Sequence, residues 1–402
     1  MKIIYIHQYF RKPTESGGTR SYWIAKELIK KNHDVLVIST KNNMDSSKKH
    51  EVVDGIKILY LNVPYSNNLS IIARAKSFLS FMFMSSYYLL KEKNVDAVFA
   101  TSTPLTVGFP ALIGKWFKKI PYTFEVRDLW PEVPIQMGAL KNKLLIKLAV
   151  GFEKTIYKNA NHIIALSPGM EKGVLKFIKD HTKVSMIPNM SKIDEFFPRP
   201  VSDQQKTNLG LNPQKFNCIH FGAMGRANGL EHLFEAAKYA KDNNITTIDF
   251  VFLGEGAMFE TFKKYVNDNA LENVKFLGTK GLIEVSEIVN ACDVSLVSFA
   301  NIEILKTNSP NKLFDSLSAG KPIIVNSAGW TKTMIEDNNC GFYADITSPQ
   351  QLVEKIQILE QDKDLYNSFS INSRQLAETK YDKSILVPQV VKVIENTKKQ
   401  NV

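Results

Sequence analysis

The sequence predicts an α/β protein of two domains, each with a parallel β-sheet covered by helices on both faces. At 402 residues, the chain is long for a single core and has the length of two average domains. Its strand candidates are short apolar runs separated by stretches of helical periodicity, which is the pattern of buried parallel strands. The order strand, glycine-bearing loop, helix and strand occupies residues 2–40 and returns over residues 217–253. This repetition indicates two Rossmann-like domains, each with a ligand-binding edge at the carboxyl ends of its strands.

The first element is a strand at residues 2–7, which leads through a glycine pair to a helix at about residues 19–31. Further strands are predicted at residues 35–40, 97–100, 122–126, 162–165, 217–221, 249–253, 274–277, 294–297 and 323–325, with a second-domain helix at residues 230–243. Prolines punctuate a hinge at residues 187–200, which separates a domain of residues 1–190 from one of residues 198–380. We expect the apolar segment 381–402 to pack back on the first domain, and the ligand to lie in the cleft that the two domains face.

Composition narrows the class of partner. The net charge of +11 favours phosphorylated substrates or an anionic lipid surface, and since no DNA- or RNA-binding motif is present, no nucleic acid is expected. Three scattered cysteines, Cys218, Cys292 and Cys340, lack metal-ligand spacing and fit reduced, buried thiols of a cytoplasmic protein. The apolar run at residues 3–6 is too short for a signal peptide. The longest apolar region, residues 77–90, contains four serines and is shorter than the roughly 20 residues that span a bilayer.

The segment at residues 308–325 is the most informative one. We predict a helix capped by Ser309, with Pro310 as its first residue, followed by a buried strand at residues 323–325. The free amides at such a helix start, around Asn311, suit an anion, and Lys312 adds a full positive charge. Asp315 lies one turn further on the same face. This arrangement fits the diphosphate and the ribose of a nucleotide sugar, while the alternative is an ordinary capped helix.

Several motifs together carry a resemblance to a known family. They occur in order along the chain: His7-Gln8-Tyr9-Phe10, Gly17-Gly18-Thr19-Arg20, Asp128-Leu129-Trp130-Pro131-Glu132, Ser167-Pro168-Gly169-Met170, Phe221-Gly222-Ala223-Met224-Gly225-Arg226, Gly254-Glu255-Gly256, Phe276-Leu277-Gly278 and the Ser-Pro-Asn-Lys helix. The sequence thereby resembles the bacterial retaining glycosyltransferases of family 4. It is most similar to the branch that transfers aminosugars such as N-acetylfucosamine in O-antigen and capsule biosynthesis.

The resemblance implies a GT-B architecture of two Rossmann-like domains with a swapped C-terminal helix. It implies a nucleoside-diphosphate sugar as donor, for which we predict UDP, on the C-terminal domain and an acceptor on the N-terminal domain, with retention of configuration and without metal or cofactor. The family carries two glutamates separated by seven residues. Here Asp315 stands at the second position, and the uncharged Thr307 replaces the first glutamate.

The resemblance also implies donor contacts near the glycine-rich loops. We expect Gly17 and Gly18 to let the backbone approach the donor phosphates, although a glycine pair is often only a turn. Arg20 is expected to contact phosphate or acceptor, unless it is a helix-surface arginine. In the second domain, Gly222 and Arg226 would bind the diphosphate, while Asn228 stands where many relatives have lysine. The base is expected near Gly254 and Leu277.

The segment at residues 124–132 offers the catalytic candidates. Asp128 is expected to act on the acceptor hydroxyl as general base or by orienting it. Arg127, which replaces a family histidine, would stabilise the departing phosphate, and Glu132 is a further candidate. The alternative is a structural arginine–carboxylate pair. His7 and His220 lie where strands end and are expected to be structural. The DxD spacing at residues 362–364 is interpreted as a solvated helix start rather than a metal site.

Two apolar regions bear on membrane contact. The region at residues 69–90 is too apolar for a typical surface helix, and Arg74 and Lys76 precede its apolar side chains. The apolar run at residues 144–146 is flanked by Lys141, Lys143 and Lys147. Each is either buried or in contact with lipid. Because both lie in the expected acceptor domain, we predict peripheral contact with the inner face of the cell membrane and a lipid-linked, polyprenyl-diphosphate saccharide as acceptor.

We therefore predict a metal-independent retaining glycosyltransferase that moves an acetamido-deoxyhexose from a UDP-sugar to a lipid-linked saccharide in surface polysaccharide biosynthesis. The alternatives are a nucleotide-sugar epimerase of the same fold and a non-catalytic nucleotide-sugar-binding subunit.

Overall fold

The structure is a computed structural model that describes residues 1–15, 17–42, 44–65 and 69–398. It contains two compact units. Unit 1 comprises Met1–Pro13, Gly18–Pro188 and the segment from Ser384 onwards, and unit 2 comprises mainly Asn189–Lys383. The expected fold class is confirmed, since each unit is built on a largely or wholly parallel sheet flanked by helices.

The sheet of unit 1 has eight strands in the order β3-β4-β2-β1-β5-β6-β7-β8, all parallel except for the antiparallel pair of β3 and β4. The strands are β1 Lys2–Ile6, β2 Asp34–Thr40, β3 Lys48–Val53, β4 Ile56–Leu61, β5 Ala97–Thr101, β6 Tyr122–Val126, β7 His162–Ala165 and β8 Val184–Met186. The helices are α1 Arg20–Lys30, α2 Ile71–Lys91, α3 Gly108–Lys118, α4 Glu132–Gln136, α5 Lys143–Asn159 and α6 Pro168–Leu175. Because β1 lies between β2 and β5, the chain changes direction across the sheet there, and ligands of such sheets bind at that point.

The sheet of unit 2 has six strands, all parallel, in the order β11-β10-β9-β12-β13-β14. The strands are β9 Phe216–Phe221, β10 Ile248–Leu253, β11 Val274–Phe276, β12 Val294–Val297, β13 Ile323–Val325 and β14 Gly341–Tyr343. The helices are α7 Asp203–Asn208, α8 Glu231–Asp242, α9 Phe259–Asp268, α10 Leu282–Ala291, α11 Asn311–Ser318, α12 Trp330–Asp337, α13 Pro349–Gln361 and α14 Lys363–Leu376. The corresponding change of direction falls between β9 and β12, which places the loops after these two strands at the expected ligand edge.

The C-terminal helix α15, Lys383–Asn396, contributes most of its length to unit 1. Glu395 at its end receives a hydrogen bond from Lys31 and lies 2.9 Å from His33 Nε2. Two residues further, the hydroxyl of Thr397 lies 2.7 Å from that of Thr123 on β6. The last helix of the chain is thus fixed to the first unit by polar contacts and by its buried apolar face.

The strands that were predicted agree with the structure to within about one residue at each end. Four strands were not predicted. The edge strand β3 is mostly exposed and polar, which hides its periodicity, and its partner β4, across the Asp54-Gly55 turn, was overlooked. Strands β8 and β14 have only three residues each.

The three cysteines are buried and free, as expected. Within the described ranges, no helix combines the length and the apolar character needed to cross a membrane.

Candidate functional site

The ligand edge of unit 2 is formed by three turns that pack on one another. The first follows β9, where the N–H of Gly222 donates to the carbonyl of Leu253 at 2.8 Å. The second follows β10, where the N–H of Gly254 donates to the carbonyl of Gly278 at 2.7 Å. Gly278 belongs to the third turn, which follows β11. Gly254 has a φ of 129°, and a Cβ there would lie 2.2 Å from the oxygen of Gly222. Glycine is therefore required for this close approach of backbones. Leu277, the predicted neighbour of the base, is half-buried beside these turns.

Helix α11 begins next to these turns, but its start differs from the prediction. Pro310, in an extended conformation, is the residue before the first turn, and Asn311 is the first helical residue. Ser309 does not cap the helix. Its hydroxyl instead accepts a hydrogen bond of 3.1 Å from the backbone N–H of Asn189, and its carbonyl accepts one from the Asn189 side chain. The hydroxyl oxygen that the local pattern assigned to the helix cap therefore accepts from a residue 120 positions earlier in the chain.

Lys312 is the cation at the centre of this edge. Its Nζ lies 3.1 Å from His220 Nε2 and 3.3 Å from Asn228 Oδ1. A Cβ on Gly222 would lie 3.6 Å from the same nitrogen, so the lysine reaches the turn after β9. No carboxylate within 4 Å of this ammonium is found in the described part of the chain. Burial lowers the pKa of Lys312 from 10.5 to about 7.

His220 and Asn228 are oriented for this contact by the backbone around them. His220 Nδ1 lies 3.1 Å from the carbonyl of Leu296, so that this nitrogen carries the proton and Nε2 presents its lone pair to Lys312. Burial, followed by the charge of Lys312, holds the pKa of His220 well below its usual value. The Asn228 side-chain N–H donates to the carbonyl of Ala223 at 2.7 Å, which turns its oxygen towards the lysine. Asn228, which replaces the lysine of many relatives, therefore accepts from Lys312.

Arg226 lies in the same loop, in a short 3₁₀ turn that ends at Gly229. Its side chain is exposed, and no carboxylate pairs with it among the residues that the structure describes. A second free cation is therefore available near Lys312 for an anionic ligand.

Asp315 is 7% exposed on the buried face of α11, and its Oδ1 lies 3.1 Å from Lys192 Nζ. Burial raises the pKa of Asp315 to about 6, against the effect of Lys192. Burial also opposes the charge on Lys192, but Asp315 and Glu195 outweigh it and raise the lysine pKa. Sequence reasoning did not identify Lys192, since it lies 123 positions away from its partner.

Thr307, at the position of the first family glutamate, donates its hydroxyl to the carbonyl of Ile304 at 2.7 Å.

The ligand edge of unit 1 brings together two of the three predicted catalytic residues. Asp128 accepts a hydrogen bond of 2.7 Å from the hydroxyl of Thr103 and is half-buried. Burial raises the pKa of Asp128, while Thr103 and Arg127 oppose the shift. Arg127 Nη1 lies 3.5 Å from Nε2 of the buried His7. Arg127 and Asp128 are not an ion pair within 4 Å, contrary to the structural alternative.

Glu132 does not join this group in the described structure. It is the first residue of α4, and its Oε1 accepts a hydrogen bond of 2.6 Å from Gln136 one turn later. An acidic side chain is favourable at the positive N-terminal end of a helix, and this accounts for Glu132 without a catalytic role.

Arg20 is not placed for a ligand, contrary to the prediction. The residue is 2% exposed, and its Nε donates to Glu125 Oε1 at 2.9 Å. Its other nitrogens donate to the carbonyls of Ile187 and Pro188 at 3.2 and 2.5 Å. The guanidinium is thus fully used inside unit 1. Gly17, by contrast, is exposed with a φ of 119°, and Gly18 follows it at partial exposure.

The DxD spacing near the C-terminus is a helix start, as interpreted. Asp362 caps α14 by accepting a hydrogen bond from the backbone of Leu365 at 2.9 Å. In the described ranges, no group of three or more His, Cys, Asp or Glu side chains could hold a metal ion.

Comparison with known proteins places this geometry in a family. Residues 17–190 match the family described as Glycosyl transferase 4-like domain, and residues 201–376 match Glycosyl transferases group 1. The probable glycosyltransferase WbjE of Pseudomonas aeruginosa is 25% identical over 307 residues, which are 74% of this chain and 75% of that protein. The putative colanic acid biosynthesis glycosyl transferase WcaI of Escherichia coli is 24% identical over 209 residues, 48% of this chain and 47% of that protein.

Among solved structures, HepE of Anabaena in complex with UDP-glucose has a TM-score of 0.72 and 16% identity, covering 98% of this chain and 100% of that chain. This likeness shows the fold. The two family matches fall in the two halves of the chain. The protein therefore belongs to the glycosyltransferases of the GT-B fold.

Proposed function

We propose that this glycosyltransferase transfers an acetamido-deoxyhexose from a UDP-sugar to a lipid-linked saccharide during the assembly of a surface polysaccharide such as capsule or O-antigen. The proposal draws on UDP-glucose as the ligand of HepE and on the name of the colanic acid relative. The type of sugar rests on the resemblance of the motifs to the aminosugar branch. We further propose that transfer retains the anomeric configuration and needs no metal ion.

The observation that carries the donor assignment is the unpaired Lys312 at the start of α11. A lysine whose pKa has fallen to about 7 lacks an anionic partner, and a diphosphate placed against it would restore its charge. The backbone amides at the helix start and the exposed Arg226 would contact the same anion. Unit 2 thus supplies positively charged side chains for a leaving nucleoside diphosphate. Other enzymes neutralise such a leaving group with a bound metal ion.

The remaining donor contacts follow from the turns of unit 2. The uracil base would lie beside the turns at Gly254 and Leu277. The ribose hydroxyls would donate to Asp315, whose ion pair with Lys192 keeps a carboxylate at this buried position charged when the ligand arrives. As the bond from the anomeric carbon to the diphosphate breaks, negative charge grows at the phosphate, where Lys312 and Arg226 stabilise it.

Unit 1 would provide the acceptor side of the reaction. Asp128 would take the proton of the attacking hydroxyl, and its raised pKa makes it a better base than an ordinary aspartate. The new bond would form on the face that the diphosphate leaves, which gives retention without a covalent enzyme intermediate. Glu132 is not part of this proposal.

A lipid-linked acceptor is supported by the surface of unit 1. Three neighbouring helices, α2, α3 and α5, expose large apolar side chains at Phe83, Phe117 and Leu144, which are 60%, 73% and 65% exposed. Lysines border these positions, including Lys118 on α3 and Lys143 on α5. An apolar surface with a basic border suits a bilayer that contains anionic lipid, so we propose peripheral contact with the inner face of the cell membrane.

The test is incubation of purified protein with a panel of UDP-sugars, with and without a lipid-linked acceptor and EDTA, followed by measurement of released UDP. Release that requires the acceptor and tolerates EDTA is the expected result. Conversion of the donor sugar without acceptor would indicate the epimerase instead. Tight UDP binding without release under any pairing would indicate a binding subunit, for which the uncharged Thr307 is the motivating observation.

A further inference from the structure

The ammonium group of Lys312 is held by neutral side chains. Its Nζ lies 3.1 Å from Nε2 of His220 and 3.3 Å from Oδ1 of Asn228. An ammonium group has three N–H bonds, and no third acceptor for it is found among the residues that the structure describes. The two contacts therefore fix the direction of the group, and they leave one N–H bond and the whole positive charge for a ligand.

Another buried lysine of unit 2 has the opposite arrangement. Lys192 Nζ lies 3.1 Å from Asp315 Oδ1 and 3.6 Å from Glu195 Oε2, so that two carboxylates compensate its charge. Lys312 lies on α11 three residues before Asp315, but its own partners are uncharged. The partners thus distinguish a cation that the fold uses from a cation that a ligand can use.

His220 is held firmly in one orientation. It is the last residue but one of β9, is 0% exposed, and pairs in register with Phe252 on β10. Its Nδ1 donates to the carbonyl of Leu296 on the other neighbouring strand, β12, at 3.1 Å. Because a neutral imidazole accepts through only one nitrogen, Nε2 is left as the acceptor for Lys312.

Asn228 approaches the same ammonium group from the loop after β9. Its Nδ2 donates to the carbonyl of Ala223 at 2.7 Å, which closes the loop on itself. Its own carbonyl accepts a hydrogen bond of 2.6 Å from the hydroxyl of Ser298, which follows β12. These two bonds fix both the backbone and the side chain of Asn228, so its amide oxygen keeps its direction towards Lys312.

We propose that His220 and Asn228 are positioning residues for the donor. They hold the Lys312 ammonium group through neutral acceptors, so that its free N–H bond and its uncompensated charge meet the diphosphate. Both residues act through Lys312. This inference rests on the proposed function, because Lys312 is the donor contact there, and deepens it by naming the groups that set the strength of this contact.

The other ionisable groups around this lysine stay constant or can be controlled. Arg226, in the same loop, is charged at every relevant pH. Burial holds the pKa of His220 well below its usual value and lowers that of His232, on α8, to about 4, so both are neutral near pH 7. Burial raises the pKa of Asp315, further along α11, to about 6. A comparison of each variant with Lys312→Met removes the contributions of Asp315 and of UDP itself.

The test is isothermal titration of the purified protein with UDP and, separately, with UMP. His220→Leu removes the acceptor and should bind UDP about tenfold more weakly, as expected for one hydrogen bond to a charged group. UMP lacks the terminal phosphate that Lys312 meets, so its affinity should not change. A variant that only distorts the fold would lose affinity for both ligands. His220→Gln keeps a neutral acceptor and should restore most of the UDP affinity.

The pH dependence of UDP binding gives a second readout. Loss of an acceptor disfavours the charged lysine, so the fall in UDP affinity should begin at lower pH in His220→Leu than in the wild type. Asn228→Asp places a carboxylate beside the lysine and keeps it protonated to higher pH, so the fall should begin at higher pH. In a Lys312→Met background, His220→Leu should cause no further loss of UDP affinity, because it acts through the lysine.

His232→Leu is the matched control. His232 is also a buried histidine, 7% exposed, whose Nδ1 lies 2.8 Å from a backbone carbonyl, that of Gly229. The control should lower the melting temperature, as His220→Leu does, but leave UDP affinity and its pH dependence unchanged.

Three results would overturn the inference while the donor assignment stands. They are equal losses of UDP and UMP affinity in His220→Leu, a glutamine variant no better than the leucine variant, and pH profiles that do not move. Absence of UDP binding to the wild type would refute the proposed function and this inference with it.

Discussion

Replacement of Lys312 by methionine is the most informative perturbation of the donor site. Methionine keeps the unbranched chain and removes the charge, so the lost interaction with a diphosphate is isolated from packing. A pKa that falls from 10.5 to about 7 corresponds to roughly 5 kcal/mol against the charged form in the free protein. Because the side chain is half-buried, solvent screens part of this, and we expect only ~1.5–3 kcal/mol to be recovered as UDP affinity. The variant should therefore bind UDP about 10- to 150-fold more weakly.

The same lysine gives the binding a pH dependence of known sign. The diphosphate binds the protonated lysine and raises its pKa above the value of about 7 in the free protein. Wild-type affinity for UDP should therefore be constant below pH 7 and fall as pH rises above it, while Lys312→Met should lack this fall. Isothermal titration from pH 6 to pH 9 measures both quantities.

The free variant also tests the cause of the shift. A lysine with a lowered folded-state pKa destabilises the fold below its ordinary pKa of 10.5, and the penalty is complete below about pH 7. Lys312→Met should therefore unfold at a higher temperature than the wild type at pH 7. Lys263→Met, which removes an exposed cation from α9, is the control. It should change neither the unfolding temperature nor the affinity for UDP. Equal UDP affinity and equal pH profiles in wild type and Lys312→Met would refute the assignment.

The other predictions concern both units. Asp128→Asn should leave UDP affinity unchanged and depress acceptor-dependent UDP release by roughly 10²–10⁴-fold, and near-normal turnover would make Asp128 structural. Phe83→Ser with Phe117→Ser should reduce co-sedimentation with vesicles that contain phosphatidylglycerol while leaving UDP affinity intact; unchanged sedimentation would remove this surface from membrane contact. Gly254→Ala should lower the melting temperature and weaken UDP binding, because its Cβ has no room, whereas Gly151→Ala on α5, with nothing within 4 Å, should stabilise the helix by ~0.5–1 kcal/mol; equal effects of the two would contradict the packing of the turns.

The sequence predicted the elements whose signals are local. Apolar runs located the central strands of both sheets, and the proline followed by Asn311 and Lys312 located the start of α11. The glycine loops after β9 and β10 were recognisable because backbone packing there requires glycine, as the contact between Gly254 and Gly222 shows. Motifs of this kind depend on residues that are neighbours in the chain.

Long-range partners account for what the sequence did not predict. Arg20 resembles a helix-surface arginine in its local context, but its carboxylate partner is 105 positions away on β6. Ser309 has the local sequence pattern of a helix cap, but its hydroxyl accepts a hydrogen bond from the backbone N–H of Asn189 instead. The ion pair of Asp315 with Lys192 likewise joins α11 to the segment before unit 2's first helix. Such pairings depend on tertiary packing, which no local pattern encodes.

The most direct measurement of the central claim is a crystal structure of the protein with UDP. The account predicts that the terminal phosphate of UDP lies within hydrogen-bond distance of Lys312 Nζ, with the ribose hydroxyls at Asp315 and the base beside the turn at Gly254. A structure in which UDP is bound elsewhere, while Lys312 remains in contact only with His220 and Asn228, would contradict it.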